Sequence, residues 1–220
     1  MSQTPRKTIV YLSTPRSGSS LICSLMDSLE IFGEAKEWLH STVHAPRIMK
    51  EANIGNPNLF QEDPGRYFPK IRDHLTSDQG IFSIKIHFFQ LQEMISKHYN
   101  PFKDLTNPKF IYIRRGDSIA QAISQTKAVQ TGSWASYNEE KQDPEYDFLQ
   151  IQNNLSWLIK QEIGYEKFFL ENNLTPFRIN YDQLVADKTG VVKRVIAYTE
   201  EDISEQKLSA INTPLKKQAD

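Results

Sequence analysis

A single cysteine, Cys23, stands among 220 residues, so no disulfide can form within the chain and nothing points to secretion. No apolar run approaches the roughly 20 residues that a membrane-spanning helix needs. Charge of one sign is equally scarce, with 26 Lys and Arg against 27 Asp and Glu and a formal net charge of −1. That balance argues against a broad grip on duplex nucleic acid or on an anionic membrane, while leaving room for a local anion site. The histidines His40, His44, His74, His87 and His98 show no metal-ligand spacing, and no metal is expected. The N-terminal MSQTPRKTIVYLS passes from basic residues straight into an apolar stretch and lacks the core of a signal peptide, so a cytoplasmic location is expected. The length suits one domain over 1–220, large enough to bury a core without disulfide staples.

What the chain does contain alternates between two patterns. Residues 8–13 (TIVYLS) are short, apolar and rich in strand formers, as are 81–86 (IFSIKI), 110–113 (FIYI) and 175–180 (TPFRIN). Between them, helical spacing of apolar residues predicts helices over 21–32, 118–130 with Asp117 as N-cap, 148–170 and 191–198. This order predicts an α/β fold in which a parallel sheet is flanked by helices. Segment 41–69, dense in Pro, Asn and Gly, reads as the least regular part and as an insertion or lid.

The strongest local signal is Pro15-Arg16-Ser17-Gly18-Ser19-Ser20, between the first strand and first helix. Such a turn aims backbone N–H groups and a helix N-terminus at one spot. Gly18 permits close approach of a phosphate, Ser17, Ser19 and Ser20 add hydroxyls, and Arg16 adds a charged fork. The loop lacks the Gly-Lys of an NTPase P-loop, and no acidic residue ends the 81–86 or 110–113 strands to hold magnesium. A sulfuryl donor, carrying less charge than a phosphoryl donor, could be held by arginine and amides alone. A second basic strand end, Arg114-Arg115-Gly116-Asp117-Ser118, opens the next predicted helix, with Ser124 two turns along. Two anion sites at neighbouring strand ends suit a ligand with phosphates at both ends.

The run YLSTPRSGSSLICSLMDSLEIFGEAKEWL, followed by IRRGDSIAQAISQTKAVQTGSW, resembles the bacterial trehalose 2-sulfotransferase family. The first block resembles that family's R-S-G-S-[ST]-L and G-E-x-x-E-[FW], and the second its R-x-D-x-x-x-Q-A-x-S and A-x-Q-T-x-x-W. The resemblance implies a P-loop-like sulfotransferase fold and transfer of sulfuryl from 3′-phosphoadenosine-5′-phosphosulfate (PAPS) to a hydroxyl of a sugar or glycolipid acceptor. It implies that Arg16, Ser17, Gly18, Ser19 and Ser20 hold the 5′-phosphosulfate, and that Arg115 and Ser124 hold the 3′-phosphate. Glu37 would be the general base and Glu34 would contact the acceptor or orient Glu37, whereas spacing alone reads this pair as a solvated helix face. Trp134 would stack on a sugar ring.

A rival base comes from Lys85-Ile86-His87, which resembles the Lys-x-His of cytosolic sulfotransferases, where the histidine takes the acceptor proton. Glu37 ranks first and His87 second, with Lys85 stabilising charge on the leaving phosphate. Tyr181 and Trp157 read as architectural. A homodimer is one assembly the sequence allows. The sequence ends at Gln218-Ala219-Asp220, where the family continues into a basic segment that helps cover the nucleotide. Two other readings therefore stand beside the sulfotransferase: a phosphotransferase using ATP, and a nucleotide-binding module without catalysis.

Overall fold

The buried, strand-forming runs KTIVYLS and IFSIKIH become β1 (Lys7–Ser13) and β2 (Ile81–His87), and PKFIYIR and FRIN become β3 (Pro108–Arg114) and β4 (Phe177–Asn180). The computed structural model describes residues 3–134 and 142–211. All four strands are parallel, in the order β2-β1-β3-β4. Parallel neighbours need crossovers, and helices supply them. β1 lies inside the sheet, with one later strand on each side of it. The order in which strands are added therefore reverses about β1, and the crevice at the carboxyl ends there is where open α/β sheets bind ligands.

Alternate residues of each strand face opposite sides. Val10, Leu12, Ile84, Ile86 and Tyr112 enter a cluster with α2 (His44–Glu51), α4 (Pro64–Leu75), α5 (Phe88–Ser96) and α7 (Phe148–Glu171). Ile9, Tyr11, Ile111, Ile113 and Ile179 enter a second cluster with α1 (Ser19–Asp27), α8 (Tyr181–Ala186) and α9 (Lys188–Thr199). The same alternation turns Lys85 and His87 to the α1 side, at the carboxyl end of β2. Asp117 caps α6 (Ser118–Thr131), accepting from the Ala120 N–H at 2.8 Å, as its position before the helix predicts. No helix among the described residues is long and apolar enough to cross a membrane.

Two segments differ from their sequence-based expectations. The helix predicted over 21–32 stops at Asp27, because Glu30 (φ 58°) and Gly33 (φ 73°) turn the chain through left-handed conformations. Phe32 remains buried and its carbonyl accepts from Ser83 Oγ at 2.6 Å. Segment 41–69 holds α2, α3 (Leu59–Glu62) and the start of α4, and its Ile48, Met49, Phe60, Tyr67 and Phe68 are core residues. Part of that composition serves helices: Asp63 caps α4, Pro64 occupies its first turn and Pro69 lies within it, whereas Asn53 turns the chain after α2 with φ 51°. Residues 135–141 and 212–220, including Gln218-Ala219-Asp220, lie outside the described residues.

Candidate active site

The turn after β1 is built as a close-approach loop. Gly18 has φ 85°, and a Cβ there would lie 2.4 Å from the Tyr181 ring. Arg16 also adopts a left-handed conformation (φ 62°), the sort of local strain that collects at ligand loops. Ser17 Oγ is buried with no hydrogen-bond partner among the described residues, a hydroxyl placed to serve a ligand. α6 is stitched to the loop by Gln121 Nε2, which donates to Thr14 Oγ1 at 2.8 Å and to the Pro15 carbonyl at 2.6 Å. Gly18→Ala is expected to cost about 1–2 kcal/mol in left-handed strain and about 1–3 kcal/mol in overpacking against Tyr181. Thermal melting and a 3′,5′-ADP titration would show lower stability together with weakened nucleotide binding.

Arg16 reaches across to the second block. Its Nε donates to Ser124 Oγ at 3.0 Å and one terminal nitrogen to the Trp134 carbonyl at 2.6 Å. The two blocks that lie a hundred residues apart in sequence thus meet through one guanidinium. Arg115 is only 8% exposed, and its guanidinium lies 4.9 Å from the Tyr181 ring centre. Burial pulls the Arg16 pKa down and the Arg115 charge pulls it further, with Tyr181 opposing. Two like charges this close, with Arg16 partly desolvated, make a setting in which an anion is stabilised. Trp134 meets the loop through its backbone, and its side chain is half exposed.

On the other side of the loop, Lys85 Nζ donates to Ser20 Oγ at 2.9 Å and pairs with Glu37 Oε1 at 3.0 Å. His87 Nε2 lies 3.3 Å from the same oxygen, and Gln90 Nε2 donates to Glu37 Oε2 at 2.8 Å. Glu37 reaches this cluster because its segment is extended, not helical: Lys36 bridges Ile84 in parallel, and the Lys85 N–H donates to the Lys36 carbonyl at 3.0 Å. His87 Nδ1 lies 3.1 Å from both the carbonyl and the hydroxyl of Ser13. A carbonyl only accepts, so Nδ1 carries a hydrogen and Nε2 is turned to Glu37. Burial pushes the Glu37 carboxyl upward, but the His87 imidazole and the Lys85 ammonium outweigh it and hold the group well below the usual carboxylate range.

Glu34 lies apart from that cluster. It pairs with Lys36 Nζ and lines a cavity of about 380 Å³ shared with Asp27, Glu30 and Asp78. Burial pushes the Asp27 carboxyl up to about 7, against the Ala35 N–H that donates to its Oδ1 at 3.2 Å. A raised carboxyl favours folding below its unfolded value near 3.8, and that contribution is lost as pH climbs through about 7. Asp27→Asn keeps an acceptor for Ala35 and removes the loss, by on the order of 1–3 kcal/mol. Thermal melts should show the variant several degrees more stable than the parent at pH 8 and level with it at pH 4.

Sequence reasoning missed Gln90, Ser13 and Asp27, and read Tyr181 as architectural. Only Gln90 left a signal, as a Gln three residues after the helix-capping His87.

A family model described as Stf0 sulphotransferase matches residues 8–220. Trehalose 2-sulfotransferases of Mycobacterium tuberculosis (strain ATCC 35801 / TMC 107 / Erdman) and Mycolicibacterium smegmatis (strain ATCC 700084 / mc(2)155) are 26% and 25% identical to it. Those alignments take in 89% and 100% of this chain, and 85% and 92% of the relatives. The sulfotransferase domain from the Synechococcus PCC 7002 olefin synthase shares the fold, with a TM-score of 0.56 at 15% identity over 96% of this chain and 78% of that one. The chain belongs to the Stf0 sulphotransferase family.

Proposed function

We propose that this sulfotransferase uses PAPS as donor and a hydroxyl of a carbohydrate or glycolipid as acceptor, with Glu37 as general base. The observation that carries the reading is the Lys85 ammonium, which touches the candidate base at 3.0 Å and the candidate donor loop at 2.9 Å. Base and loop are therefore one side chain apart. Ser17, Gly18, Ser19 and Ser20 would receive the 5′-phosphosulfate and Arg115 with Ser124 the 3′-phosphate, with Arg16 spanning both groups. The orphaned Ser17 hydroxyl, the Gly18 approach and the paired arginines fit such a ligand. PAPS, when bound, supplies a sulfuryl group activated by a good leaving group, 3′,5′-ADP.

The chain's own part is to take a proton and to stabilise charge. Glu37 accepts the hydroxyl proton and becomes neutral. Lys85 then has less negative charge on that side, and its field acts more on the loop side at Ser20, where the leaving phosphate gains charge. Glu37 is favoured over His87 by access: the Glu37 side chain is 19% exposed and His87 6%, with both imidazole nitrogens already facing partners. The half-exposed Trp134 ring would stack on the acceptor sugar, whereas Glu34, in a cavity lined by residues 76–79 that precede β2, is set apart from the base. A sugar acceptor is supported by the trehalose named for both relatives.

Calorimetric titration of the whole protein tests the donor. The second phosphate pocket is expected to bind 3′,5′-ADP about 10- to 100-fold tighter than ADP, the range for charge-assisted hydrogen bonds. Equal affinities would remove PAPS as the donor.

A further inference from the structure

Gln90 is fully buried at the third position of α5, directly behind the Glu37 carboxylate. Its Oε1 accepts from the His87 N–H at 2.9 Å, and its Nε2 donates to Glu37 Oε2 at 2.8 Å. The backbone N–H is only a donor, so the amide cannot be flipped and its NH₂ is committed to Glu37. A carboxylate offers about four lone-pair sites. With its ring protonated at both nitrogens, His87 shares Oε1 with Lys85, and Gln90 occupies one site on Oε2. One lone pair is left.

We propose that Gln90 is the positioning residue for Glu37, fixing its carboxylate so that the free lone pair of Oε2 meets the acceptor hydroxyl. The inference rests on Glu37 being the base. In the step that follows, the acceptor O–H bond breaks and an Oε2–H bond forms. The oxygen's electron pair makes the new S–O bond, and the old S–O pair departs with 3′,5′-ADP. No other common side chain does both of the Gln90 jobs. Glu would set a second carboxylate against Glu37, Asn falls one methylene short, and Met leaves the His87 N–H and an Oε2 lone pair without partners.

The charged and titratable groups facing Glu37 are Lys85 and His87 of β2, His44 of α2, Cys23 of α1 and Tyr165 of α7. Gln90→Glu adds to these only a second carboxylate, so the test reads Glu37 directly. In the whole protein labelled with ¹³C at glutamate carboxyls, the Glu37 resonance is assigned by its loss in Glu37→Gln. The parent resonance is expected to stay flat from about pH 8 to pH 5, whereas in Gln90→Glu the carboxyl pair titrates inside that window. Turnover is expected to fall about 10- to 100-fold, with little change in acceptor KM. Should Gln90→Glu fail to fold, Gln90→Met is expected to show the same loss of kcat with 3′,5′-ADP binding intact. An unshifted Glu37 resonance, or parental kcat in the Met variant, overturns the positioning role. A shifted resonance beside full turnover in Glu37→Gln overturns the proposal by another route, since the base reading beneath it has then failed.

Discussion

Glu37→Gln is expected to lower turnover about 10²–10⁴-fold, the usual worth of a positioned general base. Binding of 3′,5′-ADP should stay near the parental value. The amide is isosteric and still accepts from Lys85, but it cannot take a proton. His87→Ala is expected to hurt less, through loss of a charge partner for Glu37 and not through loss of the base. The reverse ranking in single-turnover assays would assign the base to His87. The pH profile separates the two further. Because Lys85 and His87 hold the Glu37 carboxyl below its usual range, its ionised form persists as pH falls and is lost only below the ordinary value of 4.5. The acid limb of kcat/KM should therefore lie lower than for an ordinary glutamate base. Lys85→Met removes one of the two cationic partners that oppose burial, so its acid limb should move to higher pH.

Arg115→Ala is expected to abolish the preference for 3′,5′-ADP over ADP, an effect of about 10- to 100-fold on the former and little on the latter. Three features place the weight on this residue: it is 8% exposed, it rests on Tyr181, and it lies within the field of Arg16. Arg115→Lys should recover only part of the affinity, since an ammonium keeps the charge but loses the planar fork and its stacking on the ring. Tyr181→Leu offers a control, for it removes the platform without removing charge. Calorimetry on the three variants would rank them Ala weakest, then Leu and Lys. If Arg115→Ala still discriminates between the nucleotides, the second phosphate pocket lies elsewhere.

The parts legible in the sequence are those whose physics is local. A strand followed by Pro-Arg-Ser-Gly-Ser-Ser can form few other structures than a tight turn into a helix, and that is what β1 and α1 do. Asp117 likewise reads as a cap from its position alone. Glu34 and Glu37 were harder, because i,i+3 spacing looks like one helix face. In an extended segment an odd separation puts two side chains on opposite sides. Glu37 therefore joins Lys85 and His87, while Glu34 turns to the cavity with Asp27. What decides between the two is the bridge from Lys36 to Ile84, a contact across nearly fifty residues that no local pattern encodes. Gln90 was hidden for the same reason: its partner is 53 positions away. Segment 41–69 misled by composition, since its short helices and the turns between them carry the Pro and Asn that also make loops.

The most direct measurement is mass-spectrometric detection of sulfated product from PAPS and a panel of sugars and glycolipids, in the presence of a metal chelator. The account predicts one sulfate on an acceptor hydroxyl for each 3′,5′-ADP released, with turnover indifferent to magnesium and largely lost in Glu37→Gln. Tight binding of 3′,5′-ADP with no acceptor sulfated across the panel would contradict it, as would turnover that needs ATP and Mg²⁺.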